Sequence, residues 1–266
     1  MKKEKNPLVD PPPREVPLPR APLVRVIAQV RFPLIASIEK TEFVAGFQEQ
    51  IRGAYPVLRR EETRGVLIGG PEILPARSHT VYRFNNDERT WCVSLAPEFV
   101  AIETTSYSSR SDFLARLRAV LEALGKHIGP KTVDRVGVRY IDRVTGGDLA
   151  DIAKLVRPEV LGVVGTPMGA HAQHSLCESL LCMPEGSARL LARWGRIPAN
   201  GSVDPDAIQP VSEPSWILDL DMFHTRSQEF TVTSIVNLVQ AYAERIYAVF
   251  RWAVTKEFLR RCGGKV

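Results

Sequence analysis

Between Leu23 and Phe32 the chain alternates. Val24, Val26, Ala28, Val30 and Phe32 share one face, and Arg25, Ile27, Gln29 and Arg31 share the other. A period of two predicts a half-buried strand. The period then changes. Phe43, Val44, Phe47, Ile51 and Tyr55 recur at helical spacing behind Thr41, a candidate cap, and Pro56 closes the run. Gly65 to Gly70 reads as a short strand. His79 to Phe84 and Thr90 to Leu95 read as a hairpin around Asn85-Asn86-Asp87-Glu88, and Phe99 to Tyr107 continues the meander. Ser109 or Ser111 opens a helix whose stripe is Phe113, Leu114, Leu117, Val120, Leu121, Leu124 and Ile128, ended by Gly129-Pro130. Thr132 to Val144 is a further strand, ending at Gly146-Gly147.

The second half repeats the vocabulary. A short helix covers Asp148 to Val156, and a glycine-rich link runs from Gly162 to Gly169. Gln173 to Met183 and Ala188 to Ile197 pair across Pro184-Glu185-Gly186. A polar loop spans 198–214, Ser215 to His224 is a strand, and one long amphipathic helix runs from Thr231 to about Arg261. Strand runs separated by single helices predict an α+β fold: a mostly antiparallel sheet with helices on one side. Trp91 to Tyr107 leads into one helix as Trp216 to Phe223 leads into another. That parallel suggests a diverged tandem duplication forming a saddle-like sheet. The expected organisation is a proline-rich, disordered arm over 1–22, one half over 23–147 and a second over 148–266.

Composition narrows the class. The 266 residues are 44% hydrophobic, enough for a sizeable core. No apolar run reaches the roughly 20 residues of a membrane span, and no h-region follows the Lys-rich start. Four cysteines (Cys92, Cys177, Cys182, Cys262) fit reduced thiols rather than a disulfide framework. The expectation is a soluble, cytoplasmic protein with no membrane partner. The net charge of +5 permits an acidic partner without demanding one.

Three constellations carry possible chemistry. Arg25, Gln29 and Arg31 share a parity on one strand, as do Arg139 and Arg143 on another. If both rows face one surface, they form a polar groove for a phosphodiester, a nucleotide or an acidic peptide. Intramolecular ion pairing is the plain alternative. Asp219 and Asp221 share a strand face, and with Glu103 and Glu178 they form an acidic set able to hold Mg²⁺ or Mn²⁺ for nuclease or nucleotide-processing chemistry. The plain alternative is again cross-strand pairing to arginines. His171, His174, Cys177 and Cys182 offer zinc-type donors at a spacing that matches no standard module, and strand alternation turns Cys177 away from Cys182. No nucleophile motif or phosphate-cradling glycine loop occurs, so neither a catalytic residue nor a cofactor is implied.

Three segments resemble a known family: Ala21-Pro22-Leu23-Val24-Arg25-Val26-Ile27-Ala28-Gln29-Val30-Arg31-Phe32, Val93-Ser94-Leu95-Ala96-Pro97-Glu98-Phe99-Val100-Ala101-Ile102-Glu103-Thr104, and Val136-Gly137-Val138-Arg139-Tyr140-Ile141-Asp142-Arg143. Together they resemble an uncharacterised, sporadically distributed family of bacterial proteins of similar length. The resemblance implies no activity. The sporadic distribution implies an accessory role of the defence or toxin–antitoxin type, with a protein partner from a neighbouring gene. The leading expectation is therefore a non-enzymatic binding or adaptor protein working through the arginine-bearing sheet face, with nucleic acid as a possible partner. A metal-dependent enzyme centred on Asp219 and Asp221 is the alternative.

Overall fold

The structure is a computed structural model and describes residues 5–63, 66–69, 72–75, 79–184, 186 and 188–265. The first part of the chain forms β1 (Leu23–Arg31), α1 (Thr41–Ile51), β2 (Val57–Thr63), β3 (Val66–Gly69), β4 (Glu72–Pro75), β5 (His79–Asn85), β6 (Trp91–Ala96), β7 (Phe99–Thr104), α2 (Arg110–His127), β8 (Thr132–Val133) and β9 (Arg135–Val144). There follow α3 (Gly146–Ala150), α4 (Ile152–Leu155), α5 (Pro158–Leu161), β10 (Ser175–Cys182), β11 (Arg189–Ile197), β12 (Ser215–His224), β13 (Gln228–Glu229), α6 (Val232–Ala253) and α7 (Lys256–Arg261).

Nine strands join in one mostly antiparallel sheet, in the order β10-β11-β12-β9-β1-β7-β6-β5-β2. The α+β architecture expected from the alternation is the one observed. The compact units, however, are not consecutive halves. One comprises Met1–Val26, Val138–His224 and Gln240–Val266, and the other Ile27–Gly137 and Thr225–Val239. A sheet strand belongs to whichever neighbours it pairs with, and those neighbours lie far off in sequence.

In the second of these units, Ser109 caps α2 by accepting the Asp112 N–H at 3.1 Å. Phe113, Leu117, Val120, Leu121 and Leu124 are buried, as the stripe predicts. Helix α1 packs against α2 and buries Val44, Phe47 and Ile51, with Phe47 meeting Phe84 of β5 edge-on. The two helices come so close that a Cβ at Gly46 would sit 2.6 Å from the His127 ring. Asn86 holds the β5–β6 turn by accepting the N–H groups of Thr90 and Trp91, each at 2.9 Å.

The other unit is built on β9 to β12 and on α6 from Gln240 onward. Tyr242, Ile246, Val249, Phe250 and Ala253 are buried along that helix. Residues 5–22, expected as a free lead-in, lie along the same helix. Arg245 donates to the carbonyls of Pro7 and Asp10 at 2.9 and 2.7 Å, and the Val16 N–H donates to the Tyr247 hydroxyl at 2.8 Å. These contacts read the backbone of the arm rather than its side chains, so sequence composition gave no sign of them.

Other expectations shift for local reasons. Thr41 is the first helical residue of α1 and Lys40 occupies the cap position, with no side-chain hydrogen bond. The long C-terminal helix breaks after Ala253. Thr255 turns its hydroxyl to Lys154 O at 2.8 Å and accepts the Phe258 N–H at 3.2 Å, which starts α7 afresh. Strand β2 was not foreseen. It lies at the edge of the sheet with Arg59, Arg60, Glu61 and Glu62 exposed, so it shows no alternation. Residues 65 and 70, the ends of one expected strand, and Glu185 of an expected turn lie outside the described residues. No helix among the described residues is long and apolar enough to cross a membrane.

Candidate functional site

The polar chemistry of the first unit is concentrated on one row of strand residues. The register sets Glu178 opposite Arg193 and Arg193 opposite Asp219. Arg139 on β9 continues the row. Its Nε and one terminal nitrogen donate to the two carboxylate oxygens of Asp219, both at 2.7 Å. Its other terminal nitrogen donates to Asp204 at 2.7 Å. Arg193 donates to Glu178 at 2.6 Å and lies 3.5 Å from Asp219. The signs alternate across four strands, so the row neutralises itself.

Asp219 is 2% exposed. A fork-to-fork arginine pair is the arrangement that makes such burial tolerable. Burial works against the charged form of Arg139, but hydrogen bonds and charge from Asp219 and Asp204 outweigh it, so its pKa is raised. Burial pushes Asp204 upward too, yet the Arg139 guanidinium more than reverses this and holds it below the ordinary carboxylate range.

Asp204 belongs to the loop over 198–214. Pro205 follows it, and the Ala207 and Ile208 N–H groups donate back to the Asp204 carbonyl at 3.1 and 2.6 Å. Ile208, 1% exposed, anchors the turn. The loop then presents carbonyl oxygens to the remaining arginines. Arg25 donates to Asp206 O at 2.6 Å and to Ala207 O at 3.2 Å. Arg143 donates to Gln209 O at 2.6 Å. Three of the arginines expected to bind a ligand thus hold this loop.

Gln29 and Arg31 are in the second unit and serve local contacts. Gln29 accepts from Arg135 at 3.1 Å, and Arg31 pairs with Glu98 at 3.2 Å with both side chains about half exposed. Of the acidic set, Glu103 is also in the second unit, 4.0 Å from Arg83, while Glu178, Asp219 and Asp221 are in the first. Only Asp219 is buried among these four. His171, His174, Cys177 and Cys182 are all exposed, and no three His, Cys, Asp or Glu side chains among the described residues are placed to share one ion.

Sequence reading missed Asp204, Arg193 and the carbonyls of 206–209. The signal available was the run Ser202-Val203-Asp204-Pro205-Asp206, an acidic turn in a chain rich in strand arginines. No family model matches the chain, and no curated protein matches it.

Proposed function

We propose that this chain is a binding protein of an accessory bacterial system, an adaptor that engages an acidic protein surface through Arg25 and Arg143. The supporting observation is what those arginines hold. Arg139 is neutralised by two carboxylates, whereas Arg143 donates to the neutral Gln209 carbonyl and has no carboxylate partner among the described residues; Arg25 reaches the same loop through the Asp206 and Ala207 carbonyls. Charge-assisted hydrogen bonds are roughly twice as strong as those to neutral acceptors. A carboxylate on a partner therefore competes well with the loop. Aromatic side chains for stacking bases are few on these strands, which favours a protein partner over single-stranded nucleic acid.

The test is co-purification with the product of the neighbouring gene, followed by calorimetric titration. Arg25→Glu combined with Arg143→Glu should weaken the complex by at least about tenfold. An unchanged affinity sinks the reading. Retention of a single-stranded oligonucleotide instead of the protein would replace the partner class. The alternative, a metal-dependent enzyme at Asp219 and Asp221, requires Asp219 to release Arg139 before it could hold a cation.

A further inference from the structure

Arg143 also borders a half-open cavity of about 280 Å³, just under the usual range for drug-sized ligands and ample for a small anion. Its walls come from the end of the arm, the end of β9, α3, the end of α4 and α7. The cavity has an apolar side, formed by Pro22, Leu155 and Phe258, and a cationic rim, formed by Arg20, Arg143 and Arg261.

The three arginines differ in how they are satisfied. Arg261 is fully committed: it donates to Asp148 at 2.9 Å, Asp151 at 2.7 Å and Glu257 at 3.3 Å, tying α3 to α7. That pairing also takes up Asp148, the carboxylate on the cavity wall. Arg143 has no carboxylate partner among the described residues. Its Nε–H is shielded from solvent and makes no hydrogen bond. Burial holds this guanidinium below its ordinary pKa, with no compensating charge. Arg20 is exposed, and its side chain makes neither an ion pair nor a hydrogen bond among the described residues. Its backbone is fixed at the rim, because the Arg20 N–H donates to Cys262 O at 3.1 Å. The Arg143 N–H donates to Pro22 O at 2.8 Å, which brings the two arginine-bearing segments to one place. Cys262 lines the same cavity. Burial, with the Asp142 and Asp148 charges, pushes its thiol up to about 11, so it stays protonated and does not repel an anion.

We infer that this cavity binds a phosphate monoester, with Arg20 and Arg143 clasping the phosphate and the apolar wall of Pro22, Leu155 and Phe258 meeting the organic part. The guanidinium fork matches a phosphate's oxygens, and an unspent buried donor makes Arg143 gain most from a dianion. The site lies beyond the proposed partner face and shares only Arg143 with it.

The experiment is calorimetric titration of the full chain with inorganic phosphate and with glycerol phosphate. Both should bind, the ester more tightly. Arg20→Gln and Arg143→Gln should each weaken binding about tenfold or more. Arg25→Gln should leave phosphate binding unchanged, which separates this site from the partner face. Arg20 is exposed, so Arg20→Gln keeps the fold and decides the matter even if the Arg143 variant is unstable. A parallel arm with phosphatidic-acid vesicles distinguishes a lipid headgroup from a soluble ester: sedimentation that Arg20→Gln abolishes assigns the same chemistry to a lipid. No binding to phosphate, ester or vesicle, or binding that survives Arg20→Gln, overturns the inference.

Discussion

Both compact units pair arginines with partly exposed acids, but among the described residues only the first also pairs one with a buried acid. In the second, arginines meet acids at the surface: Arg31 with Glu98, Arg83 with Glu61 and Glu103, and Arg116 with Asp112, all partly exposed. In the first, Arg139 meets an aspartate that is 2% exposed, and Arg25 and Arg143 meet backbone carbonyls instead of relying on acids alone. Chemistry is shared and burial is not. Water screens the first kind of pair to little net worth, whereas the second kind, once broken, leaves a desolvated charge behind.

The largest test of that contrast is Asp219→Ala. Removing one partner of a buried pair costs about 3–5 kcal/mol, and the remaining Asp204 contact places this case toward the lower end. Urea unfolding measures it, and a loss no greater than that of a surface pair would erase the distinction between the units.

Asp142 sharpens the comparison from the other side. It is buried like Asp219 but has no ion-pair partner among the described residues, and burial alone pushes its carboxyl up to about 7. Below the ordinary carboxylate value near 4 the group is protonated folded and unfolded, and it costs nothing. Between about 4 and 7 the unfolded chain loses this proton and the folded chain keeps it, so stability falls as pH rises, by roughly 1.4 kcal/mol per pH unit. Above about 7 the penalty is complete. Asp142→Asn should therefore match the wild type near pH 4 and exceed it near pH 8, by on the order of 4 kcal/mol. Parallel stability curves across that range would contradict the assignment.

The smallest effect is expected in the second unit. Arg31→Ala removes a half-exposed pair and should cost under about 1 kcal/mol, with most of that loss vanishing at high salt. A larger or salt-independent cost would show that exposure was a poor guide to what these arginines do.

Most regular elements were legible in the chain. Strand β12 has the bounds its pattern predicts, and the α2 stripe and the Asn86 turn were equally plain. Each depends on neighbours in sequence, through alternation, helical spacing or a side chain returning to its own backbone. The candidate site was half legible. The arginines and Asp219 were visible as strand residues of fixed parity, and cross-strand pairing stood as the plain alternative. Which arginine would meet which acceptor was not visible. Asp204 lies 65 positions from Arg139, and Gln209 O carries no side-chain signal, because every residue type has a carbonyl.

What the sequence determined by itself is therefore the local periodicity: where strands and helices form, which faces are apolar, and which charges stand on strands. The tertiary structure decided the partners. It set the register that brings Glu178, Arg193, Asp219 and Arg139 into one row, folded the 198–214 loop onto the arginines, and left the buried Asp142 and the shielded Arg143 Nε–H without opposite charges among the described residues. The physical reason is range. Periodicity is settled by sterics and hydrophobic faces within a few residues, whereas the worth of a charge depends on its solvent exposure and its partner, and both are fixed only when distant strands meet.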